Sequence, residues 1–209
     1  MGGTATVGRM QRNLSHPVLI LAAGLSRRMG FPKVLLAQNG QPVLRKMVDE
    51  LRQAGWGQVA VGISELDLSE TIAASAPGVE IILNPEPERG MISTLRLGLD
   101  WAGEEAAGIL AWPVDHPLVK RETLRRILQA SSRGNVIIPV YDGRKGHPTW
   151  WGRCAWNALR SDLADGGARQ ILPSLKDQII QMEVSDASVR INVNTPEEAG
   201  RHNLGRVSE

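Results

Sequence analysis

The chain of 209 residues has one cysteine, Cys154, one tyrosine, one phenylalanine and a formal charge of only +2. A single cysteine excludes any disulfide within the chain and fits a reducing compartment. Cys154 has no His or Cys neighbour at metal-ligand spacing, so it reads as a small packing residue. The low net charge, with Lys and Arg scattered rather than blocked, gives no field that would draw nucleic acid or an anionic membrane. No apolar run approaches the ~20 residues of a membrane span. The opening MGGTATVGRMQRNLS lacks the apolar stretch of a secretory signal. Residues 1–16 are therefore expected to be a disordered leader, 17–209 a single domain, and the cytoplasm the default location.

What is present is ordinary in bulk: 42 % apolar and 22 % charged residues, as in a soluble globular domain. The order is more informative. The run 18–23, wholly apolar and ended by Gly24, reads as a strand buried on both faces. Further strands are expected at 58–63, 79–83, 108–112 and 136–140, with a short last one at 190–194. Helical spacing marks 42–54, closed by Gly55, then 91–102 with Ser93 or Thr94 in its first turn, and 123–130. Weaker helical patterns cover 156–163, 168–176 and a final stretch from Pro196. Strands alternating with helices imply crossover units and a mostly parallel sheet.

Ligands of open parallel sheets lie at the carboxyl ends of the strands. The segments that follow these strands carry glycine, acid, base and histidine: Gly24 to Gly30, Asn84 to Met91, Pro113 to Pro117, and Gly143 to Pro148. The stretch Val18 to Leu36 combines glycines with Ser26, Arg27, Arg28 and Lys33, a set suited to a polyphosphate. It is not a P-loop, because five residues separate Gly24 from Gly30 and Lys33 comes three after the second glycine. G-x-G-x-x-G is also absent, which excludes a dinucleotide fingerprint. Asp115, just past a strand end, suits Mg²⁺ held against phosphates and equally suits a turn cap. His147 reads either as a structural histidine or as a ligand contact. Trp150 and Trp151 are adjacent on an extended segment, so at most one faces a cleft, and core packing is the simpler use.

LAAGLSRRMG followed by Lys33 resembles the signature of the MobA-like nucleotidyltransferases, which include the molybdenum cofactor cytidylyltransferases and guanylyltransferases. The likeness continues through GMISTLRLGL, PVDHPLV, GHPTWWGR, LADGGAR (ending at Arg169) and NVNTPEE. It implies an α/β fold, a single-domain Rossmann-like three-layer α/β/α sandwich with a mostly parallel sheet, of nucleotide-diphospho-sugar transferase type. It implies NMP transfer from an NTP to a phosphorylated acceptor, with Arg28, Lys33 and Asp115 catalytic and Asp115 holding Mg²⁺. Leu21, Ala22, Ala23, Gly24, Ser26, Gly30, Gly90 and Ser93 would bind nucleotide, and His147, Asn192 and Asn194 the acceptor. Relatives with A-A-G at 22–24 tend to use CTP and those with A-G-G tend to use GTP. Asp115-His116-Pro117 also looks cytidylyl-like, whereas Asn192-Val193-Asn194 leans the other way, since many cytidylyltransferase-type relatives carry aspartates there. The resemblance thus points to CTP as donor, the molybdenum–molybdopterin cofactor as acceptor, and a target molybdoenzyme as a further partner. Activation of a sugar or alcohol phosphate, and non-catalytic handling of the cofactor, are the alternatives.

Overall fold

The computed structural model describes residues 16–24, 26–64 and 68–206. The expected leader lies outside them except for His16. In chain order the strands are β1 (Val18–Leu21), β2 (Leu36–Gln38), β3 (Gln41–Pro42), β4 (Val59–Ile63), β5 (Glu80–Leu83), β6 (Gly108–Pro113), β7 (Val136–Tyr141), β8 (Arg144–Lys145), β9 (Thr149–Gly152), β10 (Ile179–Glu183) and β11 (Leu204–Arg206). The α-helices are α1 (Val43–Ala54), α2 (Ser69–Ser75), α3 (Met91–Ala102), α4 (Arg121–Ala130), α5 (Trp156–Arg160) and α6 (Pro196–Gly200).

Every residue of β1 is buried. Val18 and Ile20 enter one apolar layer, Leu19 and Leu21 the other. An apolar run without polar alternation has no face to offer water, so it takes the centre of the sheet. The first layer is closed by α1 and α4, through Leu44, Met47, Leu51, Leu124 and Ile127. The second is closed by α3 and α5, through Leu95, Leu99, Trp156 and Leu159. Each such side chain contributes about 1.5–3 kcal/mol when fully buried, which makes these two layers the main source of stability. The architecture is the expected three-layer α/β/α sandwich.

The main sheet runs β10-β7-β9-β6-β1-β4-β5, with β8 folded back onto β7. All pairings along it are parallel except those of β9, which is antiparallel to β6 and β7. The chain adds β4 and β5 on one side of β1, then crosses to add β6 on the other. A second small sheet, β11-β2-β3, closes over α1.

Several expectations need correction. The strand expected at 190–194 is a 3-10 turn, Ala187–Arg190, followed by an extended loop. Asp186 caps the turn by accepting from the Ser188 N–H at 3.1 Å, and Val193 N–H donates to the Asp115 carbonyl at 2.8 Å, so the segment has no strand partner to form a ladder. The helix expected over 156–163 stops at Arg160, and 168–176 is 3-10 turns through Gln178, interrupted by Pro173, which cannot donate a backbone bond. Cys154 is exposed on the turn Arg153–Ala155 rather than packed in the core.

Candidate active site

The sheet changes its direction of growth between β1 and β6, so their carboxyl ends, Leu21 and Pro113, frame a crevice. Three adjoining clefts open there. One of about 290 Å³ is bordered by Leu21, Ala22, Ala23, Gly24, Ser26, Lys33, Gly90, Thr94 and Asp115. A larger one of about 480 Å³ is walled by apolar side chains, among them Ile92, Leu95, Ile138, Trp151 and Leu172. A third of about 270 Å³ lies between Asp115, His116, Lys145, His147, Arg169, Arg190 and Asn192. Met91 and Pro113 border all three.

The loop after β1 is built around Ser26. Its φ of 45° is left-handed, uncommon for a residue with a side chain. The strain is met by local bonds: its carbonyl accepts from Met29 N–H at 2.9 Å and Gly30 N–H at 3.2 Å. Its hydroxyl accepts from the Lys33 N–H at 3.2 Å. The turn therefore fixes where Lys33 leaves the backbone. The Lys33 ammonium then reaches across the crevice, donating to Asn194 Oδ1 at 2.5 Å and standing 3.4 Å from Asp115 Oδ2.

Asp115 is held by its main chain. Val114 N–H donates to the Leu21 carbonyl at 3.0 Å, tying the segment to β1. The Trp112 indole donates to the His116 carbonyl at 2.9 Å. On the far side the Asn192–Asn194 segment is anchored by a capping box, in which Thr195 and Glu198 cap α6 and Asn194 N–H donates to Glu198 Oε2 at 2.7 Å. Asn194 Nδ2 donates to Asn192 Oδ1, so both amides point into one network with Lys33.

His147 follows a close contact. Gly146 leaves no room for a side chain, since a Cβ there would meet the Val189 carbonyl carbon at 2.8 Å. His147 N–H donates to the Val189 carbonyl at 2.9 Å. Its ring lies 4.8 Å from that of His116. Burial, reinforced by His116, holds the His147 imidazole well below its ordinary value, at about 4. Burial also lowers His116, against the opposing pull of Asp115. Both rings are thus neutral at pH 7, which suits contact and shape rather than charge.

Of the residues singled out from sequence, Leu21, Ala22, Ala23, Gly24, Ser26, Lys33, Gly90 and Asp115 share one cleft, and His147 and Asn192 line the neighbouring one with Asp115. Four border none of the three clefts, among them Asn194, which meets the Lys33 ammonium instead. Arg28 is exposed on the turn and borders none of the three clefts. Gly30, at φ +79°, shapes the loop from its outer corner. The Ser93 hydroxyl is spent inside the protein, donating towards the Gly90 and Glu86 carbonyls at 2.8 and 3.0 Å and accepting from Asn84 Nδ2 at 2.9 Å. Its neighbour Thr94 borders the cleft instead. Sequence reasoning passed over Asn84, Lys145, Arg169 and Arg190. Arg169 ends LADGGAR and Lys145 precedes Gly146-His147, so both carried a signal; Arg190 carried none.

A model of the MobA-like NTP transferase domain matches residues 18–179. A molybdenum cofactor guanylyltransferase of Rhizobium meliloti (strain 1021) is 28% identical over 200 residues, covering 87% of this chain and 88% of its own length. Among solved structures, Rv0371c from Mycobacterium tuberculosis H37Rv is similar with a TM-score of 0.78 at 29% identity, over 90% of this chain and 98% of that one. A structure of Rv0371C in complex with manganese is similar with a TM-score of 0.67 at 24% identity, over 90% of this chain and 96% of that one. The site at the β1–β6 switch point and the family match agree: this chain belongs to the MobA-like NTP transferases and is a nucleotidyltransferase.

Proposed function

We propose that the chain moves CMP from CTP to the phosphate of molybdopterin carrying molybdenum, releasing pyrophosphate. The observation that carries this reading is that Lys33, in the donor cleft at Leu21 to Ser26, meets Asp115, which also borders the acceptor side at His147 and Asn192. An acceptor phosphate oxygen attacks the α-phosphorus; the new P–O bond forms as the bond to the bridging oxygen of the β-phosphate breaks, and pyrophosphate leaves with that oxygen. The acceptor oxygen is already anionic, so no general base is required. Lys33 neutralises charge on the triphosphate, and the Ser26 turn fixes where Lys33 leaves the backbone.

The Asp115 side chain fits a divalent cation. Among the described residues its Oδ1 is met by His116 Nε2 at 3.9 Å and accepts no hydrogen bond, and so keeps lone pairs for a cation. Among the described residues no group of three or more His, Cys, Asp or Glu forms a metal cage. That suits Mg²⁺, which takes one or two carboxylates and otherwise keeps phosphates and water. Once bound it would supply charge neutralisation on the phosphates. The relative crystallised with manganese supports a divalent cation here.

The acceptor body is read from the larger cleft. Its wall is chiefly apolar, with Trp151 among aliphatic side chains and Lys145, His147 and Arg169 on the side shared with the third cleft, which suits a heterocycle carrying a phosphate. The donor base rests on Ala23, buried beside the donor cleft, whose methyl takes space that glycine would leave to a purine. A second reading, GTP as donor, is favoured by the guanylyltransferase relative. Pyrophosphate release measured with each NTP, Mg²⁺ and the molybdenum-loaded cofactor separates them. Release with CTP is expected. Turnover with GTP and none with CTP would replace the donor, and turnover of a sugar phosphate with none of molybdopterin would replace the acceptor. Ala23→Gly is expected to move preference towards GTP.

A further inference from the structure

The third cleft is unusual in its charge. Lys145 stands on β8, Arg169 at the start of the 3-10 segment after Gly167, and Arg190 at the end of the turn Ala187–Arg190. Three separate parts of the chain thus bring a cation to one space of about 270 Å³. All three are exposed, and none forms an ion pair among the described residues. The contrast with their neighbours is plain: Arg89 and Arg96 are both taken up by Asp165, and Arg153 by Glu104. Among the described residues the one carboxylate bordering the third cleft is Asp115, which already faces Lys33. The cleft therefore keeps an excess of positive charge. Gly146, pressed against the Val189 carbonyl, ties the Lys145 strand to the turn that carries Arg190.

We infer that Lys145, Arg169 and Arg190 form a subsite for a phosphomonoester dianion, the group by which the acceptor is held beside Asp115. This rests on the reading of the chain as a phosphate-acceptor nucleotidyltransferase. A phosphomonoester carries about −1.5 to −2 at pH 7, and the three cations outweigh that charge, since Asp115 is already set against Lys33. Guanidinium forks and a lysine together meet its equatorial oxygens. The apolar cleft shares Lys145, Gly146, His147 and Arg169 with this space, so a ligand body in the first can hold its phosphate in the second. Specificity would then come in two parts: the apolar wall selects the body, and the three cations select a terminal phosphate over a diester or a free hydroxyl.

Inorganic phosphate is the probe. Its affinity is measured by equilibrium dialysis with the full chain, with and without a non-hydrolysable CTP or GTP analogue whose own binding is followed in the same samples. Phosphate is expected to bind alongside the analogue. Lys145→Gln and Arg190→Gln should each weaken it by about five- to tenfold, as for the loss of one charge-assisted bond, and leave analogue affinity unchanged. Phosphate displaced by the analogue, or phosphate affinity untouched by both substitutions, overturns the subsite. Failure of either analogue to bind the wild-type chain, with phosphate still sensitive to Lys145 and Arg190, overturns the donor reading and leaves the subsite supported.

Discussion

Lys33 ends on two oxygens that belong to different parts of the chain, Asp115 Oδ2 and Asn194 Oδ1, and so ties the two sides of the crevice together. Lys33→Ala or Asp115→Asn is expected to lower turnover by about 10³-fold, the usual scale for losing one preorganised charge partner. Stability should change by no more than about 1 kcal/mol for Asp115→Asn, which loses a 3.4 Å contact, and by about 1–2 kcal/mol for Lys33→Ala, which also loses the bond to Asn194. Circular dichroism with a kinetic assay separates the two effects. His147 gives a pH-dependent expectation. Its folded-state value is depressed to about 4, so between about pH 6.5 and pH 4 the unfolded chain takes up a proton that the folded ring refuses. Its neutral, buried state is fully accommodated above that range, and stability falls as pH drops through it, by on the order of 3 kcal/mol. Urea unfolding of His147→Gln should show a smaller loss between neutral and acid pH than the wild type; equal losses would show that another group is responsible. At this scale residues singled out in the sequence as far apart as Gly24, Lys33 and Asp115 are brought to one cleft by the fold, because each follows the end of a strand or the turn beyond it. The sequence misled at Ser93, where the hydroxyl serves the Asn84 to Gly90 loop, because one hydroxyl in a helix's first turn looks alike whether it faces a ligand or a carbonyl.

Elements with a single strong period were read almost to the residue. The helix 91–102 is α3 as expected, and 108–112 is β6 with one residue added. The elements missed are those whose partners lie far away in sequence. β9 reads only as Thr-Trp-Trp-Gly, yet it separates β6 from β7 because Trp150 and Trp151 fill opposite layers. The small sheet joins Leu36–Gln38 to Leu204–Arg206, a pairing no local pattern announces. The 190–194 strand failed for the converse reason: apolar residues were present, but the segment is held by the Asp186 turn and the Asp115 carbonyl and pairs with no strand of either sheet. Gly146 shows how an element's placement serves the site. Gly146→Ala would press a methyl onto the Val189 backbone, which has no rotamer to yield. It is expected to cost about 1–3 kcal/mol, as overpacking does, and to raise the acceptor KM more than the NTP KM by separating Lys145 from Arg190. Equal changes in both KM values would place the strain on the whole crevice instead.

The molecule as a whole is two apolar layers on one sheet with the chemistry confined to one end, where the order of the strands turns at β1 and β6. Ligand at that end should therefore stabilise both layers together. With NTP and Mg²⁺ at ~100 times Kd, unfolding is expected to cost about 2.7 kcal/mol more, a rise in Tm of roughly 5–11 °C for a domain of this size. Lys33→Ala should lose most of that rise, whereas Lys145→Gln should keep it. Among the described residues no helix is long and apolar enough to cross a membrane. The most direct measurement of the central claim follows the α-phosphate. With α-labelled CTP, Mg²⁺ and molybdenum-loaded molybdopterin, label is expected in a dinucleotide product, one pyrophosphate appearing for each CMP transferred. Label that stays in the triphosphate for every NTP offered, although the protein binds it, would contradict the account.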